Sequence, residues 1–109
     1  MAHHYLREVY LKDGLWKGKY LSELYALAMT PWEWHKELFD YAKEKGLLAF
    51  STPFDLTAVD FLETLNPPCY KVASFENTDH AILAAVAKTG KPVIVSTGMA
   101  SQAEIAESV

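Results

Sequence analysis

The sequence contains very little cysteine: Cys69 is the only one among 109 residues. A disulfide within the chain is therefore impossible, and a chain without disulfides fits the reducing cytoplasm. Cys69 stands just before an apolar segment. We therefore interpret it as a small core residue rather than as a reactive thiol.

An excess of basic charge is also missing, since 10 lysines and arginines stand against 14 acidic residues. A net charge of −4 argues against nucleic acid as a partner. No apolar run approaches the roughly 20 residues of a membrane helix, and no apolar leader follows Met1. We expect a cytoplasmic protein that binds neither nucleic acid nor a membrane.

Short apolar segments alternate with amphipathic ones along the rest of the chain. Residues 47–50 are a continuous apolar run typical of a buried strand, and residues 70–74 and 92–96, which are mostly apolar, are interpreted as the second and third strands. Apolar residues at helical spacing lie before, between and after these runs. Residues that commonly cap helices mark several of the predicted helix starts, namely Thr30, Asp55 and Ser101.

This alternation predicts an α/β fold with parallel strands. The interval is 23 residues from Phe50 to Ala73 and 22 from Ala73 to Val95, which suits the repeating unit of a TIM-type (β/α) barrel. We predict a partial barrel domain over residues 20–109 and an irregular segment over residues 1–19. Three units cannot close a barrel, so the chain is either a fragment or covers its sheet edges by association.

Polar residues follow each predicted strand, where parallel α/β folds bind ligands. Ser51-Thr52 follows the first strand, Ser74 the second, and Ser96-Thr97-Gly98 the third. Hydroxyls beside a helix start suit a phosphate, and Gly98 would let backbone amides approach it. Each group alone is better explained as simple helix capping than as a phosphate site.

Lys71 is a charge inside an otherwise apolar strand. Burying an unpaired ammonium is costly, so a lysine that points inward needs an anion. Strand alternation would separate Lys71 from Ser74 unless the strand ends before Ser74, as we expect. Glu76 follows two residues later. It could start a helix, bind a metal, or handle water or a substrate hydroxyl, and its spacing does not choose among these roles.

Four segments together resemble the sialic-acid (nonulosonate) synthase family, in the family's order. They are Thr30–His35, Phe50–Asp55, Tyr70–Glu76 and Gly90–Met99. The resemblance covers about residues 11–109 and corresponds to strands three to five of the eight in a barrel. Ser74-Phe75-Glu76 is closer to pseudaminic acid synthases than to neuraminate synthases.

The resemblance implies an enzyme that condenses phosphoenolpyruvate with the aldehyde of an N-acetylated amino sugar, giving a nine-carbon keto sugar acid and phosphate. A divalent metal, Mn²⁺ or Mg²⁺, would polarise the aldehyde. The residues that would hold phosphoenolpyruvate are Thr52, Lys71, Ser74 and Ser96. Glu76 would act at the reacting carbons, and Phe54 would line the sugar end.

The chain lacks the metal-binding residues of the family pattern. The family's two histidine ligands lie on later strands, and His35 and His80 fall in predicted helices outside the matching motifs. The resemblance also implies that the complete enzyme is a homodimer. We expect this chain alone to be inactive. A fragment of an N-acetylneuraminate synthase, another phosphoenolpyruvate-using barrel and a non-catalytic phosphate-binding α/β module remain as alternatives.

Overall fold

We analysed a computed structural model of the chain, which describes residues 9–109. The described residues form two compact units that divide between His35 and Lys36. Residues 1–8, which belong to the predicted irregular segment 1–19, lie outside the described part. The domain boundary at residue 20 stays a prediction. Within residues 9–109, no helix is both long and apolar enough to cross a membrane.

The first unit begins with a looped segment closed by two tyrosines. Tyr10 and Tyr20 form an isolated antiparallel bridge, and their rings meet edge to face with centroids 5.2 Å apart. The amide of Leu11 donates to the carbonyl of Lys19 at 3.0 Å. Helix α1, Leu21–Ala28, follows directly, as its apolar spacing predicts.

Helix α2 is Trp32–Glu44 and spans the boundary between the two units. It starts after Pro31 and ends before Gly46, whose φ of 71° is left-handed, so both predicted limits are confirmed. The predicted apolar face was wrong in part. Trp34 and Leu38 are 58% and 51% exposed, whereas Phe39 packs against the core of the second unit.

The second unit contains alternating helices and strands. After α2 come α3 Leu56–Thr64, β1 Tyr70–Val72, α4 His80–Lys88, β2 Val93–Val95 and α5 Gln102–Ser108. The two strands pair in parallel, with Tyr70 opposite Val93 and Val72 opposite Val95. The predicted α/β class with parallel strands is confirmed.

The predicted strand at residues 47–50 is not formed. Leu47 and Leu48 are 65% and 80% exposed, and pairing is limited to an isolated parallel bridge between Ser51 and Tyr70. A buried strand needs a series of backbone hydrogen bonds to a neighbouring strand, and other residues must pack over its apolar side chains. In the described residues it has one bridge and little cover, so this part of the prediction was wrong.

Short polar contacts fix the helix starts. Asp55 accepts a hydrogen bond from the amide of Ala58 at 2.8 Å. Glu104 accepts one from the amide of Ser101 at 2.7 Å, and the Ser101 hydroxyl accepts the amide of Glu104 in return. These two caps were predicted. Asp79 caps α4 in the same way, although the sequence analysis did not identify it.

The core of this unit lies between α3, α4 and β1. Its members are Val59, Leu62, Tyr70, Ile82 and Val86, each at most 3% exposed. Burying a side chain of this size contributes about 1.5–3 kcal/mol. The core therefore anchors β1, through Tyr70, against both helices.

A polar cluster closes the core at the N-terminal end of β1. One carboxylate oxygen of Glu63 accepts hydrogen bonds from the Tyr70 hydroxyl at 2.7 Å and from the Lys91 ammonium at 2.8 Å. Lys91 and Tyr70 lower the pKa of Glu63. Burial, with the hydrogen bond to Glu63, raises the pKa of Tyr70. This cluster lies at the opposite end of the strand from the candidate site.

Candidate functional site at the strand ends

The C-terminal ends of β1 and β2 lie side by side. The amide of Ser96 donates to the carbonyl of Val72 at 3.0 Å, which extends the parallel pairing one step beyond β2. Two polar segments, residues 73–79 and 96–101, leave the sheet from this edge. The register therefore brings together two of the three strand ends that the sequence analysis selected.

Lys71 lies on the face of β1 opposite the core. Its neighbours Tyr70 and Val72 are fully buried, so alternation directs Lys71 to the other face, where its pairing partner Ile94 is 48% exposed. Lys71 itself is half-buried. Among residues 9–109, no carboxylate lies within 4.0 Å of its ammonium. A half-buried cation without an acidic partner favours an anionic ligand.

The strand ends before Ser74, as predicted. Residues 74–78 form a turn directly after Ala73. Ser74 then lies against Gly98 of the neighbouring segment, because a methyl group built at Gly98 would be only 2.8 Å from the Ser74 hydroxyl oxygen. Gly98 thus makes room for a hydroxyl, a use that differs from the approach of backbone amides expected from the sequence.

Asn77 links the same two segments and was not selected from the sequence. Its side chain is 5% exposed. The side-chain nitrogen donates to the carbonyl of Ser96 at 3.1 Å and makes a longer contact, 3.5 Å, with the carbonyl of Gly98. An asparagine between a strand and a helix is typical of an exposed turn, so no sequence signal indicated its burial.

Glu76 lies in the same turn and is half-buried. Its backbone amide donates to the carbonyl of Ala73 at 3.1 Å. One of its carboxylate oxygens, Oε2, is buried and has no hydrogen-bond partner within the described part of the chain. Leaving a buried acceptor unsatisfied costs free energy, so this oxygen is suited to a ligand or water.

Thr52 and Phe54 belong to the remaining strand end. Thr52 is half-buried and follows Ser51, whose carbonyl accepts the amide of Lys71 at 3.3 Å. Phe54 is 57% exposed. The structure thus places Thr52 beside β1, and in residues 9–109 no hydrogen bond joins it to Ser74 or Ser96.

No metal centre is built into this edge. Across residues 9–109 there is no group of three or more histidine, cysteine, aspartate and glutamate side chains that could hold a metal ion. His35 lies in α2, and one of its ring nitrogens is 3.1 Å from the carbonyl oxygen of Pro31, the residue before that helix. His80 is the exposed first residue of α4. What this edge provides is a cation, two hydroxyls and one unsatisfied carboxylate.

Known proteins are similar to this chain in sequence. The model of the NeuB family matches residues 1–109. The pseudaminic acid synthase of Campylobacter jejuni (serotype O:2) is 46% identical over 95 residues, covering 87% of this chain and 28% of that protein. The pseudaminic acid synthase of Helicobacter pylori is 45% identical over 99 residues, covering 91% of this chain and 29% of that protein.

Solved structures share the fold. The N-acetylneuraminic acid synthetase of Leptospira borgpetersenii, solved with citrate, superposes with a TM-score of 0.77 at 30% identity, over 81% of this chain and 31% of that one. A putative spore coat polysaccharide biosynthesis protein from Chromobacterium violaceum gives a TM-score of 0.76 at 30% identity, over 89% of this chain and 29% of that one.

The chain therefore belongs to the NeuB family. It spans less than a third of the length of the curated relatives it matches. The family resemblance read from the four sequence segments is confirmed.

Proposed function

We propose that this chain is a segment of a synthase of the pseudaminic acid type, which condenses phosphoenolpyruvate with an N-acetylated amino sugar. Its identity of 45–46% to pseudaminic acid synthases supports this reaction class. The observation that carries the proposal is Lys71, a half-buried cation within the short strand β1 that has no carboxylate partner among residues 9–109.

Phosphoenolpyruvate would bind across the paired strand ends. Its phosphate and carboxylate need positive charge and hydrogen-bond donors. Lys71 supplies the charge, while Ser74 and Ser96 supply hydroxyls from two adjacent segments. Thr52 would contribute a third hydroxyl from the segment beside β1. An arrangement in which separate strand ends share one anion fixes the orientation of the substrate as well as its affinity.

Glu76 would act at the reacting carbons. In the reaction, the methylene carbon of phosphoenolpyruvate attacks the sugar aldehyde, water adds to the former enol carbon, and phosphate leaves. The buried, unsatisfied oxygen of Glu76 is available to accept a hydrogen bond from that water or from a sugar hydroxyl. It can take up the proton that the attacking water loses. Phe54 offers an exposed aromatic ring to the sugar.

A divalent metal would polarise the sugar aldehyde when bound. The residues that the structure describes do not fit that role, because no metal-binding cluster exists among residues 9–109. The metal ligands would therefore come from other parts of the complete enzyme. The complete enzyme would be a cytoplasmic homodimer.

A second candidate function applies to the 109-residue chain by itself. Its described part has two paired strands, which cannot enclose a substrate as a closed barrel does. A small α/β module that binds phosphate without catalysis therefore fits the isolated chain better than a synthase does.

Phosphate release tests the proposal. The complete protein that contains this segment would be incubated with phosphoenolpyruvate, Mn²⁺ and either a 2,4-diacetamido-trideoxyhexose or N-acetylmannosamine. We expect release with the first sugar and much less with the second. Preference for N-acetylmannosamine would move the assignment to neuraminate synthases, and no release with any amino sugar would contradict it. Turnover by the isolated 109-residue chain would contradict its assignment as an incomplete segment.

A further inference from the structure

We propose that Asn77 is a positioning residue that holds the two phosphoenolpyruvate-binding segments, 73–79 and 96–101, in register. This inference rests on the proposed function, since it concerns how that site is held together. Asn77 is distinct from the proposed binding residues, because its side chain points into the protein and contacts two backbone carbonyls rather than the open strand edge.

The contact of Asn77 is long-range and buried. Its amide reaches the carbonyl of Ser96, 19 residues away in sequence, and the carbonyl of Gly98, 21 residues away. Apart from Tyr70 with its hydroxyl, Asn77 is the one polar side chain that is buried in residues 9–109. A buried amide that satisfies backbone acceptors determines one arrangement of the segments it joins.

Two hydroxyls of the proposed site, those of Ser74 and Ser96, depend on this link. The bond to the Ser96 carbonyl fixes the backbone that carries the Ser96 hydroxyl. The contact with Gly98 fixes the residue against which Ser74 lies, where a methyl group would come within 2.8 Å of the Ser74 oxygen. One side chain thus sets the relative positions of Ser74 and Ser96.

The chemistry of the link requires a donor. The Asn77 amide nitrogen carries two hydrogens, and both of its partners are carbonyl oxygens, which only accept. The substitution Asn77→Asp keeps the size and shape of the side chain but removes the donor and places a carboxylate against two carbonyls. Segments 73–79 and 96–101 would then move apart, although the side chain at position 77 keeps its volume.

The test compares Asn77→Asp with Val86→Ala in the complete protein. Val86 is a core residue of α4, 1% exposed and outside the site segments, so Val86→Ala controls for a general loss of stability. We expect Asn77→Asp to raise the KM for phosphoenolpyruvate roughly tenfold or more, with a smaller change in kcat and an unchanged KM for the sugar. Val86→Ala should lower the melting temperature and leave the KM for phosphoenolpyruvate unchanged.

Two outcomes would overturn the positioning role. One is an Asn77→Asp enzyme whose KM for phosphoenolpyruvate matches that of the wild type. The other is an equal rise in KM for Val86→Ala, which would mean that lost stability explains the effect. If the wild-type protein shows no synthase activity, the proposed function fails separately. Amide hydrogen exchange then still tests Asn77: exchange at residues 96–99 should speed up roughly tenfold or more in Asn77→Asp and not in Val86→Ala, and unchanged exchange there would overturn the inference.

Discussion

Adding one methyl group at Gly98 should impair phosphoenolpyruvate binding while leaving the fold nearly intact. In Gly98→Ala the new methyl would lie 2.8 Å from the Ser74 hydroxyl oxygen and 3.4 Å from the Ser74 β-carbon. The hydroxyl is the far end of a short side chain and can rotate away, so the cost to stability should stay below about 1.5 kcal/mol. The rotation removes that hydroxyl from the proposed anion site.

The size of the effect follows from the lost contact. A hydrogen bond to a charged group is worth about 1.5–3 kcal/mol, which corresponds to roughly a 10- to 150-fold rise in the KM for phosphoenolpyruvate at about 1.4 kcal/mol per tenfold. Steady-state phosphate release by the complete protein gives this KM. Thermal unfolding of the same variant gives its stability.

Gly90→Ala is the matched control. Gly90 has a φ of 70° and nothing within 4 Å of the position of an added methyl. Alanine there strains the backbone by roughly 1–2 kcal/mol but touches no part of the site. We therefore expect opposite patterns: Gly90→Ala lowers stability with an unchanged KM, and Gly98→Ala raises the KM with little change in stability.

A double-mutant cycle shows whether Gly98 acts through Ser74. Ser74→Ala should itself raise the KM for phosphoenolpyruvate. Adding Gly98→Ala to Ser74→Ala should then raise it little further, because the hydroxyl that the methyl displaces is already gone. Fully additive effects of the two substitutions, or a Gly98→Ala enzyme with wild-type KM, would refute this explanation of the Ser74–Gly98 contact.

Three further predictions concern stability. Because the pKa of Glu63 is lowered from its ordinary value of 4.5, its ionised carboxylate stabilises the fold above that pH, and this stabilisation is lost as the pH falls through the folded-state pKa. The melting temperature of Glu63→Gln should therefore depend less on pH below 4.5 than that of the wild type. Parallel curves for the two proteins would contradict the role of the Glu63 cluster. At alkaline pH, the raised pKa of Tyr70 means that its neutral hydroxyl stabilises the fold below pH 10.0, and this stabilisation is lost as the pH rises through the folded-state pKa. The melting temperature of Tyr70→Phe should therefore depend less on alkaline pH than that of the wild type. Asp55→Ala removes the cap of α3 and should lower the free energy of unfolding, measured with denaturant, by about 0.5–2 kcal/mol. Asp60 is exposed within the same helix and caps nothing, so Asp60→Ala should lower it little. Equal losses in the two variants would count against the cap.

Local signals were read correctly from the sequence. The caps at Asp55 and Ser101 and the stop at Gly46 each depend on residues within about four positions, which a short window of sequence contains. The end of β1 before Ser74 was also predicted, because a hydroxyl shared with Lys71 at one site is incompatible with strict alternation along a longer strand.

Features that depend on distant partners were not readable. Residues 47–50 have the composition of a buried strand, but a strand forms only where neighbours pair with it and cover it. Asn77 has the composition of a turn, yet it is buried by a segment about 20 residues further along the chain. Likewise, helical spacing showed that α2 has an apolar stripe, but only packing shows that Phe39, and not Trp34, meets the core.

Direct binding of phosphoenolpyruvate tests the central claim, that the strand ends around Lys71 form an anion site. Calorimetric titration of the complete protein, without sugar, would compare the wild type with Lys71→Ala and with Lys91→Ala, which removes a lysine already paired with Glu63. We expect the dissociation constant to rise at least tenfold for Lys71→Ala and to stay unchanged for Lys91→Ala. Wild-type affinity in Lys71→Ala would contradict the claim.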